Sequence, residues 1–419
     1  MDLLARIRDD MAFEGNVRKS YLYRFLMNFQ LWWPIWVVYL QQQRGLSLTQ
    51  ITLLDTPFFA LIVLAEVPTG AVADRFGRKV SLMLGSLMFA IAVFIFGIAT
   101  NYFVILISYT AWGLAQTFQS GADAAILYDS LKQVGREDEF QRINGRLWAL
   151  TSTAVLIAIL VGAPIADATS LAFPILLSAG IALAAIPVAA SMHEPRRPRD
   201  ADAEPYLRTV TNGISEAWRT PALRYIMLFS GVLFMATFAP LIFVQPFLRQ
   251  HDIAVVDLGF WQAPVRGAGI LSALIAARFV SRLGERGAFF AMPVAMAGCY
   301  LALAGLDHVW AYAAFLPVGM VAGMQNPVLA TYVNRRIPSE RRATMLSVQS
   351  LIGSMLIAVM EPVAGSLADA LGLQALFLMF GAICAAVLPA ILVLWSRADA
   401  AETTSAAAPL ERAEEALAV

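Results

Sequence analysis

Polar residues along this chain fall in short clusters between long apolar runs, and the spacing of those clusters predicts the architecture. Runs of about 20 apolar residues, the length a helix needs to cross a bilayer, occur at 21–40, 50–72, 80–100, 102–127, 147–166 and 171–192. Six more follow at 222–248, 258–280, 288–306, 309–333, 343–368 and 374–395. The pattern predicts an all-α integral membrane protein with twelve transmembrane helices in two six-helix bundles. The expected domains are a charged N-terminal segment, 1–20, and a first bundle, 21–192. A proline-interrupted charged linker, 193–221, leads to a second bundle, 222–396, and an Ala/Glu-rich loose tail, 397–419.

Composition agrees with this reading. Of 419 residues 59% are hydrophobic and 14% charged, against about 25% charged in a soluble domain, so the chain lacks the polar surface to cover a globule. Thirty basic and thirty acidic side chains cancel, which gives no reason to expect a nucleic-acid partner. Arg44 and Arg249 fall on one side of the alternating spans and Arg266 inside one, and the other basic residues gather on the opposite side. Basic loops mark the cytoplasm, so both termini are expected there, in a cell's inner membrane. The first residues lack the apolar core and cleavage site of a signal peptide. Cys299 and Cys384 lie within apolar runs and make no disulfide framework.

The turn after the second span reads GAVADRFGRK from Gly70, and a degenerate copy, ARFVSRLGER, follows from Ala277. Aligning Gly77 with Gly284 also brings Arg75 onto Arg282 and Pro57 onto Pro264, the weak internal symmetry of transporters built from two similar halves. The eleventh span ends in GSLADALG and the fifth in GAPIAD.

These features resemble the major facilitator superfamily of secondary transporters over nearly the whole chain. Gly70, Asp74, Arg75, Gly77, Arg78 and Lys79 match that family's signature between spans two and three at every point. EVPTG, SGADAAILYDSLK and RRATMLS resemble a bacterial branch classed with efflux pumps. The resemblance implies a cytoplasmic gate in which Arg78 bridges Asp74 to an acid on the fourth span, best matched by Asp129. Gly70 would permit close helix approach and Gly77 a turn that a Cβ obstructs, while Asp74 can accept from a helix N-terminus. The family's antiporters carry a Gly-Pro pair in the fifth span, which survives here as Gly162 and Pro164 around Ala163.

Spans 1, 4, 7 and 10 are implied to surround the path. On the fourth, Tyr109, Trp112, Gln116, Gln119 and Asp123 recur at steps of three or four and share a face. Asn28, Trp32 and Tyr39 on the first, with Trp33 and Trp36 turned elsewhere, Phe234, Phe238 and Gln245 on the seventh, and Tyr312, Phe315 and Asn326 on the tenth do likewise, with Gln325 on an adjacent face. Aromatics with amides suit an amphipathic or aromatic organic compound; the structural alternative is interfacial tryptophans and amides joining helices.

Intramembrane charge is costly and therefore informative. Glu66, Asp123, Asp55 and Glu361 are candidates to carry a coupling proton, with bracing of helix ends as the alternative for Glu66. Arg266 is expected either to pair with an acid such as Glu361 or to bind an anionic group of the substrate. No intramembrane histidine or metal-spaced cluster suggests an enzyme, a metal or a cofactor. The leading expectation is a monomeric proton-coupled exporter of a small, mostly apolar organic compound. Uptake or export of a metabolite such as a carboxylate comes second, and a transporter-like sensor third.

Overall fold

The computed structural model describes residues 3–195, 218–336 and 339–417, and these are nearly all helical, with no strand among them. The central linker falls almost entirely outside the described residues. Nine stretches among them are long and apolar enough to cross a membrane. One of these, Val255–Gly305, runs through two of the expected spans, so the nine account for all but the first and the fourth. The helix of the first stops at Asn28, within the expected span, and the fourth carries polar and aromatic residues that lower its apolarity.

Both of these spans are interrupted where an unbroken helix was expected. The first is helical over Leu3–Asn28, irregular over 29–35, and helical again from Trp36. Pro34 explains the break, since it lacks a backbone N–H and disfavours helix in the residue before it. The fourth runs over Tyr102–Gln119, turns at Ser120 and Gly121, and resumes over Ala122–Gln133. Gly121 takes φ +72°, a value that suits glycine. Spans seven and ten also change winding, through short 3₁₀ segments at Ala239–Phe243 and Val309–Ala314. The four spans implied to line the path are thus all irregular; the twelfth is too, through a π turn at Ile383–Val387.

An irregular backbone at membrane depth must find its hydrogen bonds elsewhere. Leu31 N–H donates to Ser178 Oγ at 2.9 Å. Gln245 accepts from Val37 and Val38 N–H at 3.0 and 3.3 Å and donates to the Trp33 carbonyl at 2.9 Å. Gln262 donates to the Pro34 carbonyl at 3.0 Å. A Cβ on Gly162 would stand 1.9 Å from the Leu31 carbonyl oxygen, so the glycine of the fifth span is what lets the unwound segment lie against it.

The chain divides into two compact units. The first gathers the N-terminal half together with Ile242–Arg266 and Glu361–Asp369. The second includes Gly267–Met360 and the segment from Ala370 onward. In the second unit the last helix continues as Leu388–Leu417, where a loose tail was expected; alanine and glutamate are strong helix formers.

The two copies of the turn motif each hold a glycine at positive φ. Gly77 has φ +103° and ψ 152°, and Gly284 has φ +70° and ψ 168°, so the repeat read from the sequence recurs as a left-handed glycine in each unit.

Candidate functional site: a polar cavity and a carboxyl pair

Within the first unit the first span, up to and including its irregular segment, lines a cavity of about 640 Å³ together with both halves of the broken fourth span and the fifth span. Trp112, Gln116, Gln119 and Asp123 line it, as their shared face predicts, with Asn28 from the first span and Arg266 from the eighth. Tyr109, the remaining member of that face, points elsewhere. Trp32 is 2% exposed and stands behind the wall, its ring stacked 5.2 Å from Trp33 and edge-on to Trp112 at 4.9 Å. Trp33, which the helical wheel turned away from Asn28, reaches the cavity because the helix has ended before it.

Charge in the wall is arranged asymmetrically. Asp123 pairs with Arg24 Nε at 2.9 Å, and Trp148 lies against the same guanidinium, 5.8 Å from ring to charge. Arg24, Asn144 and Trp148 were not singled out in the sequence; the one available signal is that Arg24 precedes Asn28 by four residues and so shares its face. The pairing makes Asp123, a candidate proton carrier, half of an ion pair whose base the sequence did not assign. Arg266 is exposed to the cavity and lies 5.9 Å over the Trp33 ring. Among the described residues it makes no ion pair, and the expected bridge to Glu361 is not formed.

Glu361 instead meets Asp55. The two carboxyl groups lie against each other, 0% and 3% exposed, and the Tyr109 hydroxyl donates to Asp55 Oδ1 at 2.8 Å. No cation pairs with either among the described residues. The geometry of the eleventh span explains the meeting. Glu361, Gly365 and Asp369 follow at steps of four and share one face. Asp369 accepts from Leu48 and Thr49 N–H at 3.1 and 2.8 Å, capping the short helix Leu48–Thr52. A Cβ on Gly365 would approach Thr52 Oγ1 to 2.2 Å. GSLADALG thus reads as a docking strip for the start of the second span, and it delivers Glu361 to Asp55.

The gate motif has its own geometry. Arg78 forms an ion pair with Asp129 and donates to the Ala125 carbonyl. The N–H groups of Arg78 and Lys79 both donate to the Glu194 carboxylate at 2.8 Å, a helix N-terminal cap that the sequence did not suggest. Asp74 and Arg75 are exposed. Gly70 has open space where a Cβ would be, so the close approach expected there lies instead at Gly162 and Gly365.

Other candidates lie apart from the cavity. Glu66 is exposed on its helix, where a desolvated acid was expected. Gln245 is consumed by the backbone of the first span. In the second unit Phe234 and Phe238 stack at 5.7 Å, Tyr312 and Phe315 meet at 5.4 Å, and Gln325 donates to the Thr237 hydroxyl at 3.2 Å; Asn326 is exposed. Among the described residues no cluster of three or more His, Cys, Asp or Glu could hold a metal ion.

Apolar helices that break around a polar cavity, with an internal repeat across two units, define a secondary transporter. The family model of the Major Facilitator Superfamily matches residues 25–361, and the chain belongs to that superfamily. It is 22% identical over 377 residues to the uncharacterized MFS-type transporter YxaM of Bacillus subtilis (strain 168), covering 83% of this chain and 87% of that one. It is 24% identical to the probable vesicular acetylcholine transporter-B of Danio rerio, over 86% and 74% of the two chains. Among solved structures, the nucleoside transporter NupG superposes with a TM-score of 0.78 at 14% identity, over 91% of this chain and 99% of that one. A bacterial homolog of the human lysosomal transporter Spinster does so with 0.66 at 18%, over 92% of each. These structural likenesses establish the fold.

Proposed function

We propose that this transporter is a proton-driven exporter, exchanging inbound protons for a small amphipathic organic compound by alternating access. It would act as a monomer in a cell's inner membrane with both termini in the cytoplasm. The observation that carries the proton coupling is the Asp55–Glu361 pair with its Tyr109 donor. Two adjacent carboxylates screened from water repel each other, and one proton bound between them turns the repulsion into a hydrogen bond. Such a pair has two arrangements, joined when the proton is present and parted when it leaves. Glu361 sits on a helix docked through Gly365 and Asp369, so the proton would bias whether that docking holds.

Export is supported by the remnant Gly162-Pro164 pair, whose glycine holds the unwound segment beside the cavity. An organic cargo is supported by a wall of tryptophans and amides. The test uses everted vesicles energised to an acid interior, with a fluorescent pH probe, challenged with a panel of amphipathic drugs and aromatic acids. Proton release on adding a compound, lost in Asp55→Asn and Glu361→Gln, is the expected result. Compound movement in the same direction as the proton would replace export with uptake. Specific binding of a compound with no movement of it would favour the sensor reading.

A further inference from the structure

We propose that the cavity takes an organic monoanion with a flat apolar body, its acidic group on Arg266 and its ring system against Trp33 and Trp112. The proposal rests on the cavity being the cargo site of the exporter described above and adds the chemical class of that cargo.

Of the charged groups in the wall, Arg24 and Asp123 neutralise each other at 2.9 Å, which leaves Arg266 as an uncompensated cation facing the lumen. A guanidinium offers five N–H donors and no acceptor, so it repels a cationic ligand and matches the two oxygens of a carboxylate in a fixed fork. Placing it at membrane depth is costly, and an anion bound beside it would offset that cost.

The second step is shape. Arg266 lies 5.9 Å over the Trp33 ring, and Trp33 and Trp112 meet at 70° with centroids 6.3 Å apart. Two indoles at that angle form an apolar corner next to the charge, which suits a planar ring and gives nothing to a small inorganic anion. A volume of about 640 Å³ falls within the range of pockets for drug-sized molecules.

A third observation concerns the remaining polarity. Gln30, Asn144 and Thr151 line the cavity beside the two tryptophans. Amides and a hydroxyl in the wall make the lumen polar beside the tryptophan corner, which suits an amphipathic cargo.

The experiment compares a naphthoate with its neutral amide, which share size and ring. Binding is measured by equilibrium dialysis on the full-length protein in detergent, with no gradient present. The acid is expected to bind about tenfold tighter than the amide, the scale of a charge-assisted hydrogen bond. Arg266→Gln should abolish that preference, and Arg266→Lys should keep part of it, with thermal unfolding confirming that both variants are folded. Equal binding of acid and amide to the native protein, a preference that survives Arg266→Gln, or no binding of the acid at millimolar concentration overturns the proposal. Proton exchange in the everted vesicles, with and without Asp55→Asn, is read separately. A wrong proton assignment leaves the acid preference intact, whereas a wrong cargo class leaves proton exchange intact.

Discussion

Tyr109 donates its hydroxyl hydrogen to Asp55 at 2.8 Å, and the same Asp55 carboxyl group meets Glu361. The tyrosine therefore fixes one acid of the pair and leaves the other free to part from it.

This arrangement predicts a graded series. Asp55→Asn and Glu361→Gln keep the shape of the pair but remove the exchangeable proton, so gradient-driven transport should fall to background while exchange of labelled for unlabelled cargo continues in proteoliposomes. Tyr109→Phe keeps both acids and loses one hydrogen bond to a charged group, about 1.5 to 3 kcal/mol in general. It should retain gradient-driven transport at a reduced rate with its pH profile displaced. Full gradient-driven transport in Glu361→Gln would remove the pair from the coupling step.

Much of the site was legible and some was not, for identifiable reasons. The face holding Trp112, Gln116, Gln119 and Asp123 was readable because a helical period is a local property of sequence, and the left-handed turn at Gly77 because no other residue accepts it without strain. The partners were not readable. Asp123 with Arg24, and Glu361 with Asp55, are contacts between spans far apart in the chain, and nothing in the period of either span encodes which charged group it meets. The broken first span was hidden for the opposite reason: an apolar run of adequate length looks the same whether or not the helix is continuous. Pro34 and the pairing of Leu31 with Gly162 carried that information, and the latter is visible only in three dimensions.

The close approaches give a second prediction. Gly162→Ala would place a methyl group 1.9 Å from the Leu31 carbonyl oxygen, and Gly365→Ala one 2.2 Å from Thr52 Oγ1. The first obstacle is backbone and the second a short side chain, so neither can give way easily. Each variant should lose about 1 to 3 kcal/mol of stability, the usual cost of overpacking, seen as a lower unfolding temperature in detergent. Gly70→Ala, with open space around it, is the control and should unfold as the native protein does.

At the gate motif, Arg78→Gln should leave membrane insertion unchanged and impair transport, because the ion pair with Asp129 is lost while the positive-inside bias keeps its other residues. Glu194→Gln should weaken the same turn by removing the charge from the cap on Arg78 and Lys79 N–H. The exchange of Arg78→Asp with Asp129→Arg should recover part of the transport that either change alone abolishes. Normal cargo efflux rates in Arg78→Gln would show that the turn serves topology alone.

The Arg24–Asp123 pair offers the last prediction, because it controls the charge of the cavity without touching Arg266. Asp123→Asn removes the acid that neutralises Arg24 and leaves two cations in the wall. The side chains are 10% and 27% exposed, so the loss of stability should be smaller than the about 3 to 5 kcal/mol that follows breaking a fully buried pair. The effect on binding has a definite sign: the preference for a naphthoate over its amide should rise, and a dicarboxylate of similar size should gain more than the monoacid. Arg24→Gln reverses the logic by freeing Asp123, and it should weaken anion binding while leaving the amide unaffected. Measuring both variants by equilibrium dialysis at low and moderate salt provides the check, since an interaction of fixed charges in a cavity is screened less than one on an open surface. Unchanged acid preference in both variants would mean that Arg24 and Asp123 brace the broken spans and take no part in setting the field the cargo meets.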